Sequence, residues 1–490
     1  MSQATEASVL DRGVTQLPSK YLPSAPVNDL PEPKRLRNYL GASIIISATA
    51  LGSGESILWP YITSQVGLGL AWLSLVGITM QFFLNMEVSR YTLATGETAV
   101  TGFSRMWLPW GLIFVAGAIL PNTSPGWASS GATVFTFLFG LDSAAVPLIS
   151  TLFLLSIGLA VSLSPVIYKT LERVQAFLVA LILVFVVVAI TVATDAGAWA
   201  GVVTSAPSGA ANLGGAIDEL GLAALFGAIV FAGAGGANNL VQSNYLRDKG
   251  MGMGIRIPNI VSPITGEDVA EPSLGYTVAP TSQNRRRWAA WWKIANQEQL
   301  IVFWAFGAVM LLAMSVMVFS TIGVQENLGT DLAFIQEEAR ALGNVIGPWF
   351  QTAFYVAMFL VLFSTNIGVV DYVGRLAGDS LKVTFLKSST FWSESKIYLA
   401  VVWFMIIVGS AILWTGWEPI VLLVIASAGG GFVMAFYSVL LIALNRKALP
   451  DFARLKGWRL PLMVLIAAFY VTFAAYLLYR MITLGPAAVV

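Results

Sequence analysis

The chain contains no cysteine and no histidine. Their absence excludes disulfides, thiolate and imidazole metal ligands, Ser-His-Asp triads and histidine proton relays. Charge is scarce as well. Asp, Glu, Lys and Arg make up 11% of the 490 residues, where a soluble domain carries about 25%. So little charge cannot cover the surface of a water-soluble protein of 52.4 kDa. The net charge of +1 leaves no basic footprint, so no nucleic acid partner is expected. What the chain has in abundance is apolar: hydrophobic residues are 57% of the total and mean hydropathy is +0.76. These proportions exclude disorder, collagen and coiled coil, and they point to an all-α polytopic membrane protein in a lipid bilayer. The sequence has no His-Glu-x-x-His spacing and no phosphate loop, and its Gly-rich stretches lie in apolar spans. Neither enzymatic activity nor a cofactor is expected. Passage of a small ion or small-molecule substrate is.

Residues 1–38 are polar and punctuated by Pro18, Pro23, Pro26, Pro31 and Pro33. They lack the basic, apolar and small-residue succession of a signal peptide. A disordered cytosolic tail is expected, with Lys34, Arg35 and Arg37 at the membrane surface, followed by a transmembrane domain over 39–484. At about 20 apolar residues per span, eleven transmembrane helices are predicted. Their centres lie near Ala50, Gly77, Gly117, Leu155, Val184, Gly227, Val309, Met358, Ile406, Ala426 and Phe469. With the N-terminus inside, twenty-five of the 27 Lys and Arg fall on the cytosolic side, and only Arg340 and Arg480 fall outside. That bias is the positive-inside rule. It places the N-terminus in the cytosol and the C-terminus outside, in a bacterial plasma membrane. Residues 247–297 form a cytosolic loop that ends in Arg285, Arg286, Arg287, Trp288, Trp291, Trp292 and Lys293. Basic residues beside three Trp predict an interfacial helix that anchors the next span. Between Glu326 and Arg340 a short outer helix is predicted, with Glu337 and Glu338 on a solvated face.

Charged residues deep in spans are functional candidates. Glu55 lies in the first span within Gly52-Ser53-Gly54-Glu55, where two glycines weaken the helix. The sixth span carries Gly233, Gly235 and Gly236, followed by Asn238 and Asn239. An interrupted helix frees backbone carbonyls and exposes charged half-helix ends, so a carboxylate beside it is a cation site in chemical type. The substrate-binding set is Glu55, Gly52, Ser53, Gly233, Gly236, Asn238 and Asn239, with Glu55, Asn238 and Asn239 as metal ligands. Ser364, Thr365 and Asn366 in the eighth span are candidate coupling groups. Glu87 and Arg90, three residues apart on one helix face, are a structural pair or a gate. Asn122, Thr123, Ser124 and Pro125 interrupt the third span. Interruptions in the first and sixth spans predict a 5+5 inverted repeat with discontinuous helices 1 and 6.

These features, from about Arg37 to Ala448, resemble the Nramp family of divalent-metal transporters. Gly52-Ser53-Gly54-Glu55, then Gly67-Leu68-Gly69-Leu70-Ala71-Trp72, is similar to the family's Asp-Pro-Gly-Asn break and its sequel. Tyr168-Lys169-Thr170-Leu171-Glu172-Arg173 resembles the basic-Leu-Glu start of the fifth helix. Gly236-Ala237-Asn238-Asn239-Leu240 stands in the place of Met-Pro-His-Asn-Leu, and Asn445-Arg446-Lys447 resembles the basic end of the tenth helix. The resemblance implies a LeuT-type fold of the amino acid-polyamine-organocation superfamily and transport by alternating access. It also shows departures. The family's metal-binding Asp and Asn correspond to Gly52 and Glu55, its Met to Gly236, its His to Asn238, and the third-helix acids of its proton route to Ser124 and Trp127. Without sulfur the ligands are all oxygen, which suits Mg²⁺ or a Mn²⁺-like ion. Glycine in place of Met is expected to widen the cavity. A single carboxylate is a thin complement for a bare divalent ion and matches an amine-bearing organic solute better; such a solute, coupled to Na⁺ or H⁺, is the alternative, and a non-transporting sensor is a further one.

Overall fold

Long apolar runs satisfy their backbone polar groups in lipid only as helices or closed barrels, and here they are helices. The computed structural model describes residues 15–39, 42–163, 167–258, 273–325 and 332–484. Outside these lie residues 1–14 of the tail, 259–272 of the loop, 326–331 of the predicted outer helix, and the side chains of Ser53 and Tyr168 to Thr170.

The first helical run comprises α1 (Ala42–Ala50), a π-helical stretch (Leu51–Leu58) and α2 (Trp59–Val66). Next come α3 (Ala71–Thr95), α4 (Ala99–Met106), α5 (Trp110–Asn122), α6 (Gly126–Phe139), α7 (Val146–Leu163) and α8 (Ile167–Ala193). Three short helices follow, α9 (Ala196–Thr204), α10 (Ala206–Ala211) and α11 (Leu213–Leu220). They lead into α12 (Leu222–Val230) and α13 (Asn238–Asp248). A second long run consists of α14 (Ser282–Glu298), a π-helical stretch (Gln299–Ala305) and α15 (Phe306–Thr321). The last helices are α16 (Ala333–Ile346), α17 (Pro348–Thr384), α18 (Glu394–Leu413), α19 (Pro419–Lys447) and α20 (Arg459–Leu484). The 37-residue α17 is the central post. It packs on α1, α5, α6, α8 and α18, while α19 packs on α12 and α20.

Every expected span centre falls in a described helix. By length and composition, eight helices among the described residues can cross a membrane, or nine if α11 and α12, bent by 101°, make one span. The eleven expected differ from this count for local reasons. The run Ser43–Thr95 contains two expected centres, Ala50 and Gly77. The predicted span near Gly117 is divided at Thr123–Pro125 into α5 and α6, each shorter than a span.

The described part of the tail packs against the protein, contrary to the disorder expected of it. Val27–Asn28 (β1) pairs in parallel with Thr277–Val278 (β2) of the long loop. Leu17, Leu22 and Leu30 are buried. Proline has no N–H to donate and bars helix formation, so this segment offers its carbonyls to side-chain donors. Arg105 donates to the carbonyls of Pro18 and Pro23 at 3.1 and 2.8 Å, and Trp291 Nε1 donates to that of Pro31 at 2.8 Å. The predicted interfacial helix is α14, but two of its three Trp, Trp288 and Trp291, turn inward.

Nearby, a buried charge network joins α13, α17 and α18. Arg247 donates to Asp379 and to Glu394, each at 2.6 Å. Arg375 pairs with Asp371 at 2.7 Å and also with Asp248. On the outer helix α16, Glu337 meets Arg340 at 2.7 Å in the open. Glu338 is not on the solvated face expected for it. It is buried with Phe334, Ile335 and Leu342, because a 3.6-residue repeat puts those positions on one side.

Candidate functional site

The two interruptions take different forms. In the first span the helix does not stop; it widens to π geometry over Leu51–Leu58, which leaves its hydrogen-bond ladder out of α register. Ser56 Oγ donates to the Leu51 carbonyl at 2.5 Å within that stretch. Its glycines serve close packing. A Cβ on Gly54 would lie 1.6 Å from the Phe231 carbonyl oxygen, and one on Gly52 would lie 2.2 Å from Thr365 Oγ1. Glycine therefore lets the first span press its backbone against the sixth at Gly54 and against α17 at Gly52. In the sixth span the helix breaks outright between Val230 and Asn238. Gly233, Gly235 and Gly236 take φ of 124°, 66° and 56°, a region that side-chain-bearing residues rarely adopt.

Gln81 of α3 fills the opened backbone. Its Nε2 donates to the carbonyls of Val230 and Ala232 at 2.7 and 3.0 Å. Its Oε1 accepts from Gly235 N–H at 2.8 Å and from Asn239 Nδ2 at 3.3 Å. One turn along α3, Asn85 Oδ1 accepts from Asn239 Nδ2 at 2.8 Å. Sequence reasoning missed both residues. The signal was an amide pair four residues apart in an otherwise apolar span.

Glu55 is 2% exposed. Its Oε2 has no hydrogen-bond partner, and no ion pair to it occurs among the described residues. Its other oxygen lies against α15: a Cβ on Gly307 would come within 3.0 Å of Oε1. Asn238 Oδ1 and Nδ2 and Asn239 Oδ1 are also buried without partners. Trp127 of α6 packs on Phe231 at the break, with ring centroids 5.7 Å apart and planes tilted by 39°. The structure thus brings the first span to the sixth at Gly54 and Phe231, with Glu55 next to Gly54 in the π stretch and turned to Gly307, while Gly233 and Asn239 gather on Gln81 and Gly52 faces Thr365 of α17.

Other predicted residues are placed differently. Gly236 opens no cavity: a Cβ there would sit 2.9 Å from Gly430 Cα, so the backbone of α19 fills the space expected to widen. Thr365 faces α1 and donates to the Ala48 carbonyl at 3.3 Å. Ser364 turns to α8, where its hydroxyl is bound to Gln175. Asn366 donates to the Leu362 carbonyl at 3.2 Å in its own helix. Glu87 and Arg90 meet at 2.6 Å. Arg90 also donates to the Ala453 carbonyl and stacks 4.1 Å over Trp292, which ties α3 to α14 and to the α19–α20 connection. Ser124 lies buried at the α5–α6 division. No group of three or more Asp or Glu that could hold a metal occurs among the described residues, so a cation here would rely on one carboxylate with amide and carbonyl oxygens.

The family model for natural resistance-associated macrophage protein-like (Nramp) proteins matches residues 44–480. The chain belongs to the Nramp family. Its fold is shared with a histidine-to-alanine mutant of the manganese transporter of Eremococcus coleocola, at 13% identity and TM-score 0.62, over 92% of this chain and 89% of that one. It is also shared with MhsT in complex with L-phenylalanine, at 13% identity and TM-score 0.55, over 90% of this chain and 97% of that one. No curated protein matches the sequence. This Nramp chain is accordingly a membrane transporter of LeuT-type fold, in which a π-helical stretch stands where a discontinuous first helix was expected.

Proposed function

We propose that this Nramp chain carries a hard divalent cation, Mg²⁺ or Mn²⁺, across the membrane by alternating access, and that the cation binds where the π stretch of the first span meets the break of the sixth. The observation that carries this reading is the Glu55 carboxylate, buried with an unpartnered oxygen in the π stretch whose Gly54 meets the sixth span at Phe231; the sixth span itself holds unpartnered amide atoms of Asn238 and Asn239 just after its break. A buried carboxylate without a countercharge costs several kcal/mol, and a cation supplies the missing charge. Glutamate and amide oxygens are hard ligands. The likeness to a manganese transporter supports the same substrate class. The tight seat of Gly236 on Gly430 means that the glycine at that position does not itself widen the site for an organic solute. The Lys and Arg bias supports an orientation with the tail-bearing face in the cytosol. Movement of α1–α2 and α12–α13 against α5, α6, α7, α17 and α18 would expose the site to each side in turn.

The test is uptake of Mg²⁺ and Mn²⁺ into liposomes with entrapped indicators, wild type beside Glu55→Gln. Flux in the wild type that is lost in the variant is expected. Flux of neither ion through folded wild-type protein would overturn the reading.

A further inference from the structure

A second buried carboxylate lies off the helix breaks. Glu298 ends α14, is fully buried, and forms no ion pair among the described residues. The charge whose field reaches it belongs to Lys249, and that ammonium is paired with Glu172. Glu298 instead accepts from Ser43, the second residue of α1: from the backbone N–H at 2.7 Å and from Oγ at 2.6 Å. Two amides converge on the same hydroxyl. Gln242 Nε2 of α13 donates to Ser43 Oγ at 3.2 Å, and Gln299 Nε2 at 2.5 Å. Both amides are fully buried, and the Oε1 of each has no partner. Each such oxygen is a buried acceptor left without a donor, which is unfavourable until something fills it.

The backbone here repeats what surrounds Glu55. The π stretch Gln299–Ala305 begins at the residue after Glu298, as the other π stretch contains Glu55. π segments are frequent at functional sites. Ser47 Oγ, one turn beyond Ser43, donates to the Val302 carbonyl inside the second stretch at 2.9 Å. The two carboxylates also border one helix. Gly307, which touches Glu55, lies nine residues beyond Glu298, about 13 Å along a helix. On α13, Asn238 and Gln242 are one turn apart and share a face.

We infer that Glu298, with the Gln242 and Gln299 amide oxygens and with Ser43 orienting all three side chains, forms a second cation station, which takes a partly hydrated divalent cation between the central junction and the tail-bearing face. Its chemistry is one carboxylate and neutral oxygens, a set for a hard ion that keeps some of its water. The station rests on the cation-transport reading for its place in a route, but its binding is measurable without flux.

Mn²⁺ titrated calorimetrically into purified full-length protein tests it. Wild type should show two binding events, with Glu298→Gln removing one and Glu55→Gln the other. Mn²⁺ uptake into liposomes should fall about tenfold or more in Glu298→Gln, and Glu298→Asp, which keeps the charge, should recover part of it. Should Glu298→Gln fail to fold, Gln299→Leu leaves the carboxylate in place and should weaken the same event about tenfold; unchanged affinity there overturns the station. Two events and full flux in folded Glu298→Gln also overturn it, while leaving the central site standing. Wild type that moves no cation yet binds Mn²⁺ through Glu298 overturns the transport reading alone. Loss of both findings overturns both.

Discussion

Glu55 stood out in the sequence because a lone carboxylate in an apolar span has few structural uses. Asn238 and Asn239 stood out because they follow three glycines. Gln81 did not, since one amide in a membrane helix reads equally well as helix glue; only its four bonds to the broken span show its part. Glu298 was hidden by its position at the end of a charged loop helix. Gly307 was also silent, although it leaves room for the Glu55 carboxylate. Gly307→Ala would put a Cβ 3.0 Å from Glu55 Oε1 and 2.4 Å from Ile78 Cδ1. Overpacking of that kind costs about 1–3 kcal/mol. Reduced thermal stability and weaker Mn²⁺ binding are expected, read by differential scanning fluorimetry with and without the ion. Glu338 lies outside the membrane-spanning helices, and burial pushes its carboxyl well above the usual range. The folded state then holds its proton more tightly than the unfolded state. Its contribution is fully present at pH below the ordinary carboxylate value and declines as pH rises from there towards the raised folded value. Glu338→Gln should therefore flatten that decline and melt higher than wild type at neutral pH. A lower melting temperature across the whole range would contradict this assignment.

At the scale of elements, the sixth-span break was legible because three glycines in four residues are followed at once by two amides; glycine alone does not break a span, since Gly429, Gly430 and Gly431 lie inside the continuous α19. The first-span π stretch was not, since glycine spacing does not distinguish a broken helix from a widened one. The tail was misread for a physical reason: its prolines mark non-helical chain, but not whether a neighbouring surface accepts that chain. Leu30 is fully buried under this tail, and Leu30→Ala should cost about 2–5 kcal/mol locally. Faster proteolysis of residues 15–38, with the helical core intact, is the expected result. The network on α13, α17 and α18 is more demanding. Arg247→Leu leaves Asp379 and Glu394 without their guanidinium, and breaking a buried pair costs about 3–5 kcal/mol. Sharply lower stability in detergent is expected, measured by loss of the monodisperse peak after heating.

For the whole molecule, composition alone led to an all-helical membrane protein, because 57% hydrophobic residues with 11% charge leave no soluble alternative. The order of interruptions pointed to the LeuT-type arrangement. The number of spans was less legible, since it depends on whether Pro125 divides one helix and whether the 101° bend before α12 joins two. The central claim concerns charge: one buried carboxylate at the meeting of two irregular spans binds the cation that crosses. The most direct measurement is Mn²⁺ and Mg²⁺ uptake into proteoliposomes by wild type and Glu55→Gln side by side. Saturable uptake by wild type that falls to the protein-free background in Glu55→Gln is predicted. Equal uptake by the two proteins, with Glu55→Gln shown to be folded, would contradict it.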